Sequence, residues 1–87
     1  MIDFSHGNCL KEHIRQKDVA ESVSKQISQG SKTIFGVMIE SFLEEGFQTV
    51  NTNQPLIYGK SITDACLNWE DSVLIIKKLA DAVDTRF

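Results

Sequence analysis

The sequence contains few of the residues that mark specialised classes of protein. Its 87 residues include one proline, two cysteines and one tryptophan. Two cysteines are too few for a disulfide framework, and their number is typical of a reducing cytoplasm. Apolar runs fall short of the roughly 18–20 residues that a membrane span needs, and residues 1–5 lack the basic leader of a signal peptide. We therefore expect a cytoplasmic protein without a membrane segment.

Positive charge is also scarce. Nine lysines and arginines stand against twelve aspartates and glutamates, which gives a net charge of -3. The basic residues are scattered, whereas nucleic-acid binding needs a concentrated basic surface. A hydrophobic content of 41% with 24% charged residues is typical of a globular domain. These values argue against a nucleic-acid partner.

The first half of the chain has the pattern strand, helix, strand. Residues 1–5 predict a buried strand that ends at the turn His-Gly-Asn. Apolar residues every four positions (Val19, Val23, Ile27) predict a helix of about 11–13 residues, with Asp18 at its N-cap and Gly30 after its last turn. Residues 34–39, Ile-Phe-Gly-Val-Met-Ile, predict a parallel strand buried on both faces that ends at Glu40.

The second half predicts a long loop and a final helix. Residues 41–60 contain glycine, asparagine and proline without a clean period, and loops of this length are usually functional or disordered. The helix should begin between Thr63 and Trp69 and run close to the C-terminus. We expect Trp69 to pack in the core, and we expect one apolar face composed of Trp69, Val73, Ile76, Leu79, Ala80 and Val83.

This order of elements predicts an α/β fold. Two parallel strands alone make a poor sheet, because both edges and both faces need cover. The chain also starts directly on the predicted strand, without a polar lead-in. We therefore expect the sequence to be truncated and to belong with more protein.

Three residues lie at junctions between the predicted elements: His6, Glu40 and Asp64. In a (β/α)8 barrel such positions hold catalytic groups, and an imidazole with two carboxylates suits a divalent first-row metal ion. Each residue also has a structural alternative. His6 fits a hydrogen-bonded structural histidine, Glu40 a solvated strand end, and Asp64 an N-cap of the last helix. Position favours a shared site without requiring it.

Three motifs resemble one enzyme family. They are residues 3–8 (Asp-Phe-Ser-His-Gly-Asn), residues 36–41 (Gly-Val-Met-Ile-Glu-Ser), and residues 58–66 (Tyr-Gly-Lys-Ser-Ile-Thr-Asp-Ala-Cys) followed by Trp-Glu. In this order they are similar to the last third of the type I 3-deoxy-arabino-heptulosonate 7-phosphate (DAHP) synthases. Residues 41–43, 54–56 and 82–87 are most similar to the tryptophan-sensitive members. Ala65 departs from the proline expected in many of that subgroup.

The resemblance implies a fold and a metal site. Residues 1–87 would form a C-terminal fragment of a single TIM-barrel catalytic domain, supplying the last two βα units of the (β/α)8 barrel. His6, Glu40 and Asp64 would be the metal ligands, and the family's fourth ligand, a cysteine, would lie outside this chain. The ion would be Mn²⁺, Fe²⁺, Zn²⁺ or Co²⁺. No catalytic residue is assigned beyond these ligands.

The resemblance also implies an activity. The family condenses phosphoenolpyruvate with erythrose 4-phosphate and water, releasing DAHP and phosphate, in the first step of the shikimate pathway towards chorismate and the aromatic amino acids. The intact enzyme is expected to be a homo-oligomer. The family's phosphate-binding arginines and lysines have no equivalent cluster here. We expect Lys60 to be a solvated or loop-packing lysine and not a phosphate ligand. Two anionic substrates would then meet uncompensated carboxylates, so we expect the chain alone to be inactive.

Two other readings stay open. One is a non-catalytic interaction or metal-binding module with a small α/β fold. The other is the neighbouring 3-deoxy-octulosonate 8-phosphate synthase family, which residues 61–66 argue against. Cys9 and Cys66 are not expected to be ligands, because neither matches the family's cysteine motif and Cys66 suits a small packing residue. His13 is expected to be simply exposed.

Overall fold

Two short parallel strands stand at the centre of the fold. The computed structural model describes residues 1–9 and 12–86, apart from the side chain of Cys9. Strand β1 (Ile2–Asp3) pairs with β2 (Val37–Met38), with Ile2 opposite Val37. The predicted strands were longer, because an apolar run marks where a strand can form. In the structure they form a two-stranded sheet in which two residues of each strand are paired.

Helix α1 (Gln16–Ser28) follows β1 after two 3-10 turns, His6–Cys9 and His13–Arg15. The predicted helix is confirmed, with a start slightly earlier than expected. The predicted N-cap is wrong: Asp18 lies inside the first turn, where a carboxylate still opposes the positive end of the helix dipole. Gly30 follows the helix with a φ of 105°, a conformation that glycine adopts without steric cost.

Helix α2 (Trp69–Arg86) begins within the predicted range, but only part of its predicted face turns inward. Ser72, Ile75 and Ala82 are buried, with Leu79 and Val83 packed beside them. The predicted inward positions Trp69 and Ile76 are instead 63% and 61% exposed, and Ala80 is also exposed. The helix carries apolar residues over a wide arc, and packing against α1 selects the side that is buried.

The core joins the strand pair to the two helices. Phe4 and Leu67 are fully buried at its centre, and the remaining members come from the helices: Ala20, Val23, Ile27, Ile75 and Ala82. Ion pairs cross the helix interface, from Lys17 Nζ to Asp71 Oδ2 at 2.9 Å and between Lys78 and Glu21. No helix in the described part of the chain combines the length and apolarity required to cross a bilayer.

The segment between β2 and α2 is irregular, as predicted, but it is internally paired. Isolated bridges join Ser41 to Leu67, Gly46 to Cys66 and Phe47 to Ser61. The segment therefore folds back on itself, and it returns the chain to the ends of both strands just before α2 begins.

Candidate metal centre

Three side chains converge at the carboxyl ends of the parallel strands. The Nε2 atom of His6 lies 2.7 Å from Glu40 Oε1 and 3.6 Å from Asp64 Oδ2. One potential ligand atom from each residue lies within 4.8 Å of those of the other two. The three residues therefore lie close enough to bind one ion together.

The ring of His6 is held by Asp3 of β1 and by Ser5, the residue before it. Its backbone φ is 53°, in the left-handed region that residues other than glycine rarely adopt. Its Nδ1 lies 2.9 Å from Asp3 Oδ2 and 2.8 Å from Ser5 Oγ. Ser5 in turn donates to Asp3 Oδ1 from both its backbone N–H (2.8 Å) and its hydroxyl (2.5 Å). The turn thus points the other ring nitrogen, Nε2, away from the strand.

The same contacts shift two pKa values. The hydrogen bond to Asp3 raises the pKa of His6, and the nearby charges of Glu40, Asp3 and Asp64 add to that effect. Hydrogen bonds from Ser5 and then His6 lower the pKa of Asp3. The site is therefore electrostatically suited to a cation.

Glu40 is fixed through its backbone by a glutamine from α1. Gln16, which is fully buried, accepts a hydrogen bond from the Glu40 N–H (2.9 Å) and donates to the Glu40 carbonyl (3.0 Å). The Glu40 carbonyl also accepts from the Leu67 N–H at 3.0 Å. These bonds continue the pairing beyond β2, so that the carboxylate leaves the strand end at a defined point.

Asp64 comes from the returning segment. Ser61 is buried, and its hydroxyl accepts from the Thr63 N–H at 3.1 Å. On the other side, Cys66 exchanges backbone hydrogen bonds with Gly46 at 2.8 and 3.1 Å, and Leu67 is buried. Asp64 is not the N-cap of α2, because Asn68 Oδ1 accepts the Asp71 N–H at 2.8 Å. The Asp64 side chain itself stays 71% exposed.

A cavity of about 460 Å³ opens over the three residues. The residues that line it are Ser5, His6, His13, Gln16, Glu40, Phe47, Thr63, Asp64 and Ala65. The expectation for His13 is wrong: its side chain is only 24% exposed, since its Nε2 lies 2.8 Å from Glu45 Oε1. This contact joins the chain before α1 to the segment over the cavity.

The remaining residues weighed in the sequence analysis are the two cysteines and Lys60. Cys66 is a free thiol whose Sγ lies 3.4 Å from the Asp64 carbonyl oxygen, and burial raises its pKa. The side chain of Cys9, for which no ligand role was expected, lies outside the described residues. Lys60 is half-buried in the long segment, apart from the residues that line the cavity.

Sequence reasoning missed Asp3 and Gln16. The motif Asp-Phe-Ser-His offered one signal, because a carboxylate three residues before a strand-end histidine can reach its ring. Gln16 offered none, since its partner is the backbone of a residue much later in the chain.

Comparison with known proteins identifies the family. A family model described as the DAHP synthetase I family matches residues 1–77. The chain belongs to this family. The resemblance found in its three motifs is thereby confirmed.

Individual DAHP synthases match along the whole chain. A protein of Buchnera aphidicola from Schizaphis graminum, named "Phospho-2-dehydro-3-deoxyheptonate aldolase, Trp-sensitive", is 94% identical over 87 residues, and its namesake in Escherichia coli K12 is 58% identical. A solved phospho-2-dehydro-3-deoxyheptonate aldolase from Francisella tularensis superposes with a TM-score of 0.93 at 45% identity, over 99% of this chain. The chain spans 25% of the length of each of these proteins.

Proposed function

We propose that this chain provides the metal-binding part of a DAHP synthase. In this proposal, residues 1–87 are the last two βα units of a (β/α)8 barrel that condenses phosphoenolpyruvate with erythrose 4-phosphate. The similarity to the Francisella tularensis structure and the parallel order of β1 and β2 support it. The observation that carries it is the convergence of His6, Glu40 and Asp64 where parallel strands end, which is where barrel enzymes hold their active sites.

The donor set fits a divalent ion. One imidazole nitrogen and two carboxylate oxygens suit Mn²⁺, Fe²⁺, Zn²⁺ or Co²⁺, and geometry rather than donor type would select among them. A bound ion of this kind supplies Lewis acidity towards an aldehyde oxygen or a water molecule. The two carboxylates stand next to each other and to His6 Nε2, so a cation between them relieves their repulsion.

The residues of this chain would perform three tasks. His6 presents Nε2, with its ring direction set from the strand side. Glu40 projects from a backbone that Gln16 holds on both polar groups. Asp64 closes the set from the returning segment, and its exposure leaves that side of the site open to substrate.

Substrate charge would be neutralised elsewhere. Both substrates carry phosphate, yet the described residues that line the cavity include neither lysine nor arginine. We infer that the rest of the barrel supplies these cations and the fourth metal ligand, and that the chain alone is inactive. A homo-oligomeric intact enzyme and a cytoplasmic location stay predictions from the family resemblance and the cysteine content.

A hybrid enzyme tests the proposal. In it, the matching quarter of the 94% identical Buchnera protein is replaced by this chain. We expect the hybrid to form DAHP, to lose activity when a chelator removes the metal, and to regain it when Mn²⁺ is added back. Replacing His6, Glu40 or Asp64 by alanine should lower activity by about 100-fold or more, since each supplies one of the proposed metal ligands.

Exposed residues outside the site provide controls. The variants Asp81→Ala and Asp84→Ala change acidic residues of α2 that are exposed and lie after the three motifs. They should keep wild-type activity and metal dependence. Full activity after exhaustive metal removal, or in a variant lacking Glu40, would refute the proposed metal centre.

A further inference from the structure

Asp3 is not among the proposed metal ligands, although it contacts one of them directly. Its Oδ2 lies 2.9 Å from His6 Nδ1, and its Oδ1 accepts two hydrogen bonds from Ser5. Both carboxylate oxygens are therefore occupied, one by the histidine ring and the other by the residue between them in the chain.

The hydrogen-bond pattern determines which ring nitrogen carries a proton. The Ser5 hydroxyl lies 2.5 Å from Asp3 Oδ1 and gives its proton to that oxygen. Ser5 Oγ also lies 2.8 Å from His6 Nδ1, and with its proton committed it faces the ring as an acceptor. Two acceptor oxygens thus surround Nδ1, so Nδ1 keeps its proton in the neutral ring as well as in the imidazolium.

The opposite nitrogen is then the one available to a cation. Nε2 lies 2.7 Å from Glu40 Oε1 and 3.6 Å from Asp64 Oδ2, on the side where the other two ligands converge. A cation bound in this space would take the place of the Nε2 proton, which would leave to solvent. The Nδ1–H would stay hydrogen-bonded to Asp3.

The backbone explains why the ring needs such support. His6 sits in a turn with a φ of 53°, whereas Asp3 belongs to β1. Hydrogen bonds on both sides of Asp3 hold the strand, from Ile2 N–H to the Gly36 carbonyl and from Phe4 N–H to the Met38 carbonyl. The carboxylate is thus anchored to the sheet, and it holds a side chain that the turn alone would leave free to rotate.

From this geometry we propose that Asp3, tied down by Ser5, is a positioning residue that fixes the Nδ1–H tautomer of His6 and thereby sets the metal affinity of the site. The proposal rests on the metal centre proposed above. Carboxylates that accept from a metal-bound histidine typically contribute 10–100-fold to metal affinity.

The hybrid enzyme provides the test, with metal affinity as the readout. Mn²⁺ binding would be measured by electron paramagnetic resonance for wild type, Asp3→Asn, Ser5→Ala and the control Asp84→Asn. We expect Asp3→Asn to weaken Mn²⁺ binding by about 10-fold or more, Ser5→Ala to weaken it less, and the control to match wild type. At saturating Mn²⁺, Asp3→Asn should regain most of its activity, because the group positions a ligand and does not touch substrate.

A second measurement uses the hybrid enzyme without any substitution. Nitrogen-15 NMR of the zinc-loaded hybrid with labelled histidine should show the His6 proton on Nδ1. A proton on Nε2, or unchanged Mn²⁺ affinity in Asp3→Asn beside normal wild-type binding, would overturn this inference and leave the metal centre standing. A wild-type hybrid that binds no Mn²⁺ would overturn the metal centre itself, and this inference with it.

Discussion

At the scale of single residues, Gln16 holds the backbone of Glu40 in place with its side-chain amide. Its amide satisfies both backbone groups of Glu40, and its side chain is excluded from water. A glutamine in this place mimics a neighbouring strand, because it offers one donor and one acceptor side by side. Glu40, two residues after β2, thereby keeps strand-like pairing on its α1 side.

Replacing Gln16 by leucine tests this role. The change keeps the approximate volume but leaves the partly buried Glu40 N–H without its partner, while the Glu40 carbonyl keeps its bond from the Leu67 N–H. We expect the hybrid enzyme to lose about 1–3 kcal/mol of unfolding free energy in denaturant titrations. The control Gln26→Leu alters an exposed residue of α1 and should stay within about 0.5 kcal/mol of wild type. Equal losses in both variants would contradict the assignment.

At the scale of elements, the residues just before α2 connect the helix to the proposed metal centre. Asn68 caps the helix through the Asp71 N–H, and Leu67, directly before it, pairs with Glu40 and Phe42 through its backbone. The same few residues therefore end the segment that carries Asp64 and begin the helix. Fraying of the first turn of α2 would loosen both.

We therefore expect Asn68→Ala to destabilise the hybrid enzyme by about 0.5–2 kcal/mol, the usual loss for an N-cap. Asn68→Asp should retain most of the stability, since a carboxylate accepts the same N–H and also opposes the helix dipole. Thermal melting would compare the two variants. If alanine and aspartate behave alike, the cap does not stabilise α2.

At the scale of the whole molecule, the chain is more extended than a compact domain of the same length. Its radius of gyration is 14.8 Å, with extents of 53 × 23 × 16 Å, whereas a compact domain of this length measures about 12 Å. Large apolar side chains are exposed along it, among them Phe35 at 84% and Tyr58 at 89%. Monomeric proteins rarely leave so much apolar surface uncovered. These features support a larger protein around the chain.

The isolated chain should therefore form no DAHP, even with saturating Mn²⁺ and both substrates. Its cavity brings carboxylates together without lysine or arginine among the described lining residues, so phosphorylated substrates meet repulsion. An assay of phosphate release would compare the chain with the hybrid enzyme at equal concentration. Turnover by the isolated chain would show that the necessary cations are already present within it.

Local patterns accounted for the order of the elements and for the type of each candidate ligand. The four-residue spacing of Val19, Val23 and Ile27 depends only on the helical repeat, and the structure confirms that helix. The same reasoning was only partly right for α2, where Leu79 and Val83 pack inward as expected but Ile75 is buried instead of Ile76. A helix that is apolar over a wide arc does not specify its contact face, and the neighbouring helix decides it.

By itself, the sequence determined the family, the α/β order of elements and the residue types that could bind a divalent ion. It did so because helical spacing, apolar runs and short motifs are local. Only the tertiary structure decided that His6, Glu40 and Asp64 face one another, that Asp3 and Gln16 hold two of them in place, and that His13 pairs with Glu45. Most of these contacts join residues far apart in the chain, so their distances depend on the path of the folded backbone, which no local pattern encodes.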